Sequence, residues 1–394
     1  MLNKLYALNG GVISELNQAQ FVLLENKIKK LEEDENIALL KQSKQWDYLH
    51  LEKPSSAFAN LIKRKQDNLN FDLITDDHDR TFSNEKELGD HLCRFFGNFF
   101  KKVDRPEGVT LRGFLGEDII NSDFVQDKIL TEEEKNSLEG PFTMEELWEA
   151  MGNANLSSAP GVNDISNKVL VKFWELIKWP LRDGINFMME KGELTGTMRL
   201  AKIRLIPKGG DNKPTKANKL RPINILTSDY KLGSGALSLR IRKVIEKITS
   251  RCQKAYSSKS FIHEGLITVY ETMSKAIYQN KSLAVILIDF SRAFDSVQHN
   301  YLYEVLSFFN FGDGIINMIK TCLSNRAAAI INGSGLTESF PIDSGTPQGD
   351  LPSTDYFKIA VEPLLIKIIC SLIIQMPLLN FNLKPDDKYQ KPKS

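Results

Sequence analysis

The sequence "AVILIDFSRAFDSVQHNYL", residues 284–302, joins an apolar run to two aspartates, Asp289 and Asp295. The run from Ala284 to Ile288 is short, entirely apolar and rich in β-branched residues, a pattern typical of a strand buried in a sheet. Asp289 then stands at the exit of the predicted strand, where a sheet edge meets solvent. The stretch therefore predicts a sheet that carries a carboxylate at its edge.

The two aspartates have different interpretations. A carboxylate held on rigid β-structure suits Mg²⁺, although Asp289 could equally be a residue that ends a strand and begins a turn. Asp295 precedes a helical pattern that includes Val297 and Tyr301, and Gln298 follows three residues later. Such spacing favours a helix N-cap. We therefore predict that Asp289 is the metal candidate and Asp295 the cap.

Composition sets broad limits on the protein. The 394 residues are 42% apolar and 26% charged, which is ordinary for globular domains, and the net charge is only +1. Charge is nevertheless concentrated locally, because residues 201–250 contain 12 Lys and Arg against 3 acids. This basic band favours a phosphate-rich partner, with a solvated surface as the alternative.

Targeting and redox features of the sequence are few. The N-terminal residues lack the apolar core of a secretory signal, and the apolar run 368–379 is short and contains Gln375 and Pro377. The four cysteines have no zinc-type spacing. We therefore expect an intracellular protein, in the nucleus or cytoplasm, with reduced cysteines and no membrane segment.

Local signals predict several further elements. Thr131 with Glu134, and Thr143 with Glu146, fit capping boxes at two helix starts. "IRLIPK" and "LRPINIL" predict two strands on either side of a basic, glycine-rich loop, and a helix follows from about Asp229. Gly233 and Gly235 near the start of that helix cost helix stability and indicate a close contact. A hairpin turning near Asn332-Gly333 leads to "DSGTPQGD", a glycine-rich loop that opens another helix. The pattern indicates a mixed α/β protein.

These motifs, in this order, resemble a known family. The segments "APGVNDIS", "IRLIPK", "LRPINIL", "IDFSRAFDSVQH", "SGTPQGD" and "AVEPLL" are similar to those of reverse transcriptases from non-LTR (LINE-type) retrotransposons. The resemblance covers roughly residues 155–365, and its specificity lies in the order and spacing of six weak motifs. It implies a right-hand polymerase fold of the α+β class, with fingers, part of a palm with an antiparallel sheet, and a preceding helical extension.

The resemblance also implies residue roles. Asp289 would be the first catalytic, metal-binding carboxylate, with the backbone carbonyl of Phe290 completing that side. Lys208 and Arg221 would clamp the triphosphate of the incoming nucleotide. The remaining roles fall to Phe294, as an aromatic gate against a ribose 2′-hydroxyl, and to Gln348 and Gly349, as the lining of the nucleotide pocket.

One family motif has no match in the sequence. The polymerase site of the family needs further carboxylates on an aromatic-x-Asp-Asp hairpin, because nucleotidyl transfer uses two metal ions about 3.5–4 Å apart. Asp76-Asp77 comes too early, and Asp386-Asp387 lies in a polar stretch after a proline. We therefore expect a C-terminally truncated copy with at most a partial site for two Mg²⁺ ions.

These observations define the expected organisation and function. The predicted parts are a helical extension and linker (1–150), pre-fingers helices (151–186) and a reverse transcriptase domain (187–394). Within the first part, the apolar spacing predicts a helix from Ile13 to Leu49, and the stretch 101–127 has no clear period and is predicted to be an irregular linker. The expected function is an RNA-directed DNA polymerase domain that uses an RNA template, a DNA primer and dNTPs and is inactive as it stands. One alternative is a non-catalytic RNA- or DNA-binding remnant with a basic groove. A distant third, an α/β nucleotide hydrolase, lacks any GxxxxGK[ST] loop.

Overall fold

A computed structural model describes residues 73–375, except 104–105, 209–213, 255–261, 291 and 334. Helices predicted before residue 72, including that from Ile13 to Leu49, lie outside the described residues, as does Asp386-Asp387. The described part is a mixed α/β structure in which helices surround one larger sheet. This arrangement agrees with fingers and part of a palm of a polymerase.

The strands form a small hairpin and a five-stranded sheet. Strands β3 and β4 are antiparallel, as predicted, but β3 also pairs in parallel with β5, so the larger sheet is mixed. β5 pairs with β6 at one end and with β7 at the other, both antiparallel. The strands are β1 (Ile74–Thr75), β2 (Thr81–Phe82), β3 (Leu200–Pro207), β4 (Leu220–Ile225), β5 (Arg326–Asn332), β6 (Gly335–Leu336) and β7 (Phe340–Ile342).

Helices account for most of the remaining described residues. Their bounds are α1 (Glu85–Phe99), α2 (Leu111–Leu115), α3 (Glu117–Ile120), α4 (Asp123–Gln126), α5 (Glu132–Asn136), α6 (Met144–Gly152), α7 (Asn167–Lys172), α8 (Trp174–Lys191), α9 (Ser228–Arg242), α10 (Ile245–Ile248), α11 (Ile262–Tyr278), α12 (His299–Phe308), α13 (Asp313–Leu323) and α14 (Ser353–Gln375). The stretch 101–127, predicted to be an irregular linker, contains the three short helices α2, α3 and α4.

The predicted helix starts are confirmed at atomic detail. The Thr131 and Thr143 hydroxyls accept hydrogen bonds from the Glu134 and Glu146 amides, and each glutamate side chain accepts one from its threonine amide. Reciprocal caps satisfy two free amides in each first turn. They place the beginnings of α5 and α6 where the sequence indicated.

Glycines let α9 pack closely against its neighbours. A Cβ on Gly233 would lie 3.1 Å from the Ile185 side chain of α8, and one on Gly235 would lie 3.2 Å from the Ala150 Cβ of α6. The sequence suggested a close contact here because two glycines near a helix start cost helix stability. The structure confirms it.

Arg240 links α9 to α6 and to the segment that precedes α6. Its buried guanidinium donates to both Glu146 carboxylate oxygens, at 2.6 and 2.7 Å, and to the backbone carbonyls of Gly140 and Pro141. It also lies over the Phe142 ring, 4.7 Å from its centroid. A cation so fully engaged inside the protein contributes to folding and is not available to a phosphate.

The apolar run 284–288 differs from its prediction. It forms no strand, and its side chains are exposed, with Ile286 at 81% and Leu287 at 92%. A strand needs a neighbour to accept its backbone hydrogen bonds, and no described strand pairs with this run. The prediction of a buried strand ending at Asp289 is therefore wrong for the described structure.

Candidate nucleotide site

Two loops meet the antiparallel hairpin of β3 and β4 at one place in the structure. This hairpin, which the family resemblance assigns to the fingers, is called the fingers hairpin below. The first loop, residues 292–298, precedes α12, and the second, residues 343–350, precedes α14. The amide of Thr346 donates to the carbonyl of Phe294 at 2.9 Å, and the amide of Gly345 donates to the carbonyl of Val297 at 2.8 Å. These backbone hydrogen bonds join the two loops directly.

Strand β4 completes the junction. The Asn224 amide, on the edge of β4 away from the ladder with β3, donates to the Gln348 carbonyl at 2.8 Å. Gly349 follows with φ +111°, and a Cβ there would lie 2.7 Å from the Asn224 carbonyl oxygen. A glycine is therefore required at position 349, because the backbone there approaches strand β4 closely.

Gly345 has the same role on the other side of the loop. Its φ is +83°, and a Cβ there would lie 2.8 Å from the backbone oxygen of Asp295. The two glycines thus press the loop 343–350 against both the loop 292–298 and β4. This packing fixes the position of Gln348, which lies between them.

Asp295 lies at the centre of this junction and is not the helix cap. Helix α12 begins at His299, and its N-cap residue is Gln298. The Asp295 carboxylate Oδ2 instead accepts a 2.8 Å hydrogen bond from Nε2 of Gln348, while Oδ1 has no partner among the described residues. The N-cap prediction was wrong because the carboxylate is bound by a loop far along the chain.

Burial changes the acidity of Asp295. Desolvation raises its pKa to about 7, and the opposing effects of Lys208, the Gln348 amide and Arg292 do not cancel it. Lys208 stands beyond the end of β3, where its amide donates to the Lys219 carbonyl at 2.9 Å. The electrostatic effect of Lys208 on Asp295 shows that the end of the fingers hairpin lies near the two loops.

A stability prediction follows from this pKa. The folded state holds the Asp295 proton to higher pH than the unfolded state, so the stabilisation is present below the unfolded pKa of 3.8 and is lost as pH rises through about 7. We expect Asp295→Asn to be more stable than the wild type at pH 8 by about 4 kcal/mol, since the pKa is raised from 3.8 to about 7 and each pKa unit is worth about 1.4 kcal/mol, with a smaller difference at pH 5. Urea unfolding at both pH values measures this. A constant difference would contradict it.

Phe294 of the first loop and Phe290, which precedes the loop, pack against α14. The Phe294 ring lies 5.0 Å from that of Phe357, and the Phe290 ring lies 6.2 Å from Phe357 in an edge-on arrangement. Phe290 and Phe357 also line a cavity of about 930 Å³ that extends to His299 and Tyr303. The packing of Phe294 against α14 therefore holds its ring in place, as expected for a residue that forms one wall of a binding pocket.

Arg221 and Lys208 extend from the fingers hairpin. In the antiparallel ladder Arg221 faces Ile206, and Arg204 faces Ile223. These four side chains share one face of the hairpin, since they occupy alternate positions on each strand. Lys208 follows Ile206 by two residues, and its Nζ donates to the Asn218 carbonyl at 2.8 Å. Exposed cations thus line this face toward the hairpin tip.

Much of the basic band is engaged within the protein. Four of its cations form ion pairs with acids elsewhere: Lys202 with Asp164, Arg240 with Glu146, Arg242 with Asp355 and Lys247 with Glu134. The count of 12 cations therefore overstates the charge that a ligand meets. Arg204, Lys208 and Arg221 remain together on the hairpin face.

Asp289 lies in an exposed, irregular stretch, residues 281–290, which precedes the first loop. Its chain neighbour Phe290 contacts Phe357, which also packs against Phe294. No group of three or more His, Cys, Asp or Glu able to hold a metal occurs within the described residues. The structure thus brings together Lys208, Phe294, Gln348 and Gly349, but it does not bring Asp289 and Phe290 into a carboxylate cluster.

The β3–β4 hairpin, a glycine-rich loop and the helix that this loop opens lie together, in the arrangement that the family resemblance implies. Comparison with known proteins agrees, because residues 206–376 match the family model "Reverse transcriptase (RNA-dependent DNA polymerase)". The matched region is a reverse transcriptase domain of the kind found in non-LTR retrotransposons. The sequence-based recognition is therefore confirmed.

Three similar proteins are named after a transposon or a retrotransposable element. The chain is 27% identical over 252 residues to the "Transposon TX1 uncharacterized 149 kDa protein" of Xenopus laevis, covering 63% of this chain and 19% of that protein. It is 26% identical to a "Retrovirus-related Pol polyprotein from type-1 retrotransposable element R2" of Popillia japonica (55% and 29%). It is 23% identical to the R2DM polyprotein of Drosophila melanogaster (57% and 21%).

The similarity therefore concerns one region of much longer proteins, since the chain spans less than a third of each of these relatives. No helix of the described part is long and apolar enough to cross a membrane.

Proposed function

We propose that this chain is an RNA-directed DNA polymerase domain whose incoming dNTP binds where the fingers hairpin meets the loops 292–298 and 343–350. The observation that carries the proposal is the contact chain from β4 through Gln348 to Asp295, with Lys208 beside it. An RNA template and a DNA primer are the proposed partners. The proposed boundaries of the polymerase part are residues 187–394, after an extension (1–150) and pre-fingers helices (151–186).

The proposed residue roles follow the chemistry of this junction. Lys208 and Arg221 are cations on one hairpin and would contact the triphosphate, since a guanidinium and an ammonium bind phosphate oxygens strongly. The Phe294 ring, held against Phe357, would exclude a ribose 2′-hydroxyl by steric hindrance. Gln348 is half-buried, so the end of its amide not held by Asp295 can contact the nucleotide.

Catalysis would need Mg²⁺ at Asp289 and the Phe290 carbonyl. The residues described here fit only part of such a site, because in the described part of the chain Asp289 belongs to no group of three or more His, Cys, Asp or Glu able to hold a metal. Two bound Mg²⁺ ions would activate the primer hydroxyl and stabilise the leaving pyrophosphate. We propose accordingly that the 394-residue chain binds the polymerase substrates but does not complete the metal site.

A primer-extension assay tests this directly. We expect the purified chain to incorporate no dNTP on an RNA template with Mg²⁺ or Mn²⁺, because one carboxylate cannot hold two metal ions in the required geometry. Asp289→Asn is the matched control. Template-dependent incorporation that Asp289→Asn abolishes would contradict the prediction and show that the chain has a working catalytic site.

Binding should persist without catalysis. Phosphate contacts release counterions, so each lost contact should lower the slope of log K against log salt by roughly one. We expect Lys208→Ala/Arg221→Ala to reduce this slope by roughly two for an RNA–DNA hybrid. The control Lys86→Ala/Lys172→Ala removes two exposed lysines of α1 and α7 and should leave it unchanged. Equal slopes for the wild type and the site variant would show that Lys208 and Arg221 contact no phosphate of the hybrid.

A non-catalytic nucleic-acid-binding role is the second candidate, and it is favoured because the described residues form no group of three or more His, Cys, Asp or Glu able to hold a metal. Salt-dependent hybrid binding that dATP does not compete for would support this role over a nucleotide-binding polymerase domain.

A further inference from the structure

The contact between Asp295 and Gln348 joins two groups whose hydrogen bonding depends on a single proton. Asp295 is 5% exposed, and its Oδ2 accepts from Nε2 of Gln348 at 2.8 Å. A carboxylate can only accept hydrogen bonds, whereas a carboxylic acid can also donate one. An amide has a donor end and an acceptor end, so it can bind either form of Asp295, in opposite orientations.

We propose that Asp295 is a positioning residue that determines which end of the Gln348 amide faces the ligand. As a carboxylate, Asp295 holds the NH₂ group and leaves the amide oxygen toward the pocket. When Asp295 takes up a proton from solvent, its hydroxyl donates to the amide oxygen, and the NH₂ group turns outward. The nucleotide then meets a donor in place of an acceptor.

The packing around the pair supports a change confined to these two side chains. Gly345 and Gly349 fix the backbone on either side of Gln348, and hydrogen bonds from Thr346 and Asn224 hold the same loop. The backbone therefore stays in place while the amide rotates about its terminal torsion, which is broad and roughly two-fold. The added proton lies on Oδ2, the oxygen of Asp295 that faces Gln348, because no group among the described residues bonds Oδ1.

The charged and titratable groups around Asp295 place the transition in an accessible pH range. Lys208, beyond the end of β3, and Arg292, on the same loop as Asp295, both lower its pKa, but burial outweighs them and raises it to about 7. His299 of α12 bonds the Gly345 carbonyl at 2.8 Å, and burial lowers its pKa. The Gln348 amide is neutral. Asp295 is thus the group here whose pKa lies near 7.

The inference rests on the proposed function for its consequence, because Gln348 is proposed to line the dNTP pocket. A triphosphate is an anion, so an outward NH₂ group and an uncharged Asp295 both favour it. We expect dATP to bind about tenfold more tightly at pH 6 than at pH 8, which is the effect of about one hydrogen bond. Asp295→Asn should remove this difference. Because dATP itself changes protonation in the same way with both proteins, the variant also controls for the titration of the ligand.

A second measurement tests the amide without any ligand. In protein labelled with ¹⁵N-glutamine, the side-chain NH₂ signal that disappears in Gln348→Met identifies the amide. We expect this signal to titrate with a midpoint near pH 7 in the wild type, following the pKa of about 7, and to be unaffected between pH 6 and 8 in Asp295→Asn. Urea unfolding of both variants confirms that they fold.

The two measurements separate this inference from the proposed function. A Gln348 signal that does not titrate, or that titrates identically in Asp295→Asn, overturns the inference whether or not dATP binds. A titrating amide in a protein that does not bind dATP supports the positioning role and counts against the proposed nucleotide pocket. A pH-dependent dATP affinity that persists in Asp295→Asn also overturns the inference.

Discussion

Replacement of Glu362 by alanine is expected to destabilise the protein by about 3–5 kcal/mol, because it leaves a buried lysine without its counter-ion. The Glu362 carboxylate is fully buried in α14 and lies 3.1 Å from Nζ of Lys128. It also accepts hydrogen bonds from the Ser250 amide at 2.9 Å, from the Ser250 hydroxyl and from Nε2 of Gln253 at 2.7 Å.

The Lys128 side chain has little alternative to this pairing. It is 6% exposed, donates to the Ile248 carbonyl at 3.0 Å and lies over the Phe124 ring. One carbonyl and one ring cannot replace a carboxylate for a desolvated ammonium group. The pair thus connects the segment before α5, the residues after α10 and the middle of α14, and its loss should affect the whole described core.

Matched variants separate burial from charge. Glu117→Ala breaks an exposed pair with Arg112, whose side chains are 66% and 67% exposed, and should change the free energy of unfolding by about 0–1 kcal/mol. The double variant Lys128→Met/Glu362→Leu removes both charges and should recover most of the lost stability. Urea unfolding measures the free energy of unfolding of all three variants, with one common value for its dependence on urea concentration. A Glu362→Ala effect no larger than that of Glu117→Ala would contradict the prediction.

The sequence correctly predicted those structural elements that depend on residues close to one another along the chain. Both capping boxes, the β3–β4 hairpin and the close packing at Gly233 and Gly235 depend on spacing that is visible along the chain. Motif order then identified the family and most residues at the junction. These successes share a cause, since local hydrogen bonding and side-chain periodicity are properties of short segments.

Pairings between distant residues could not be predicted. Arg240 was counted as a surface cation, yet Glu146, 94 residues earlier, binds it inside the protein. Asp295 fitted a helix cap, yet Gln348, 53 residues later, binds it. Periodicity reports which residues are apolar but not which polar partners meet in the fold. The strand prediction for 284–288 was wrong for the same reason, because a strand depends on a neighbour elsewhere in the chain.

Gly349→Ala is expected to cost about 3 kcal/mol and to abolish dATP binding, because two independent effects act at this position. The φ of +111° is strained for any residue with a Cβ, and that Cβ would lie 2.7 Å from the backbone oxygen of Asn224. The oxygen belongs to β4 and cannot move without disturbing its ladder with β3. The loop must therefore move instead, and Gln348 moves with it.

Gly140→Ala provides the matched control for backbone strain. Gly140 has a φ of +87°, but nothing lies within 4 Å of the position that its Cβ would occupy. This variant should cost about 1–2 kcal/mol, the strain of a positive φ alone, and should bind dATP as the wild type does. Urea unfolding and dATP titration of both variants test the argument. Equal losses of stability in the two variants would show that the contact between Gly349 and β4 adds nothing to the backbone strain. Normal dATP binding by Gly349→Ala would show that the loop does not need β4 to hold Gln348 at the pocket.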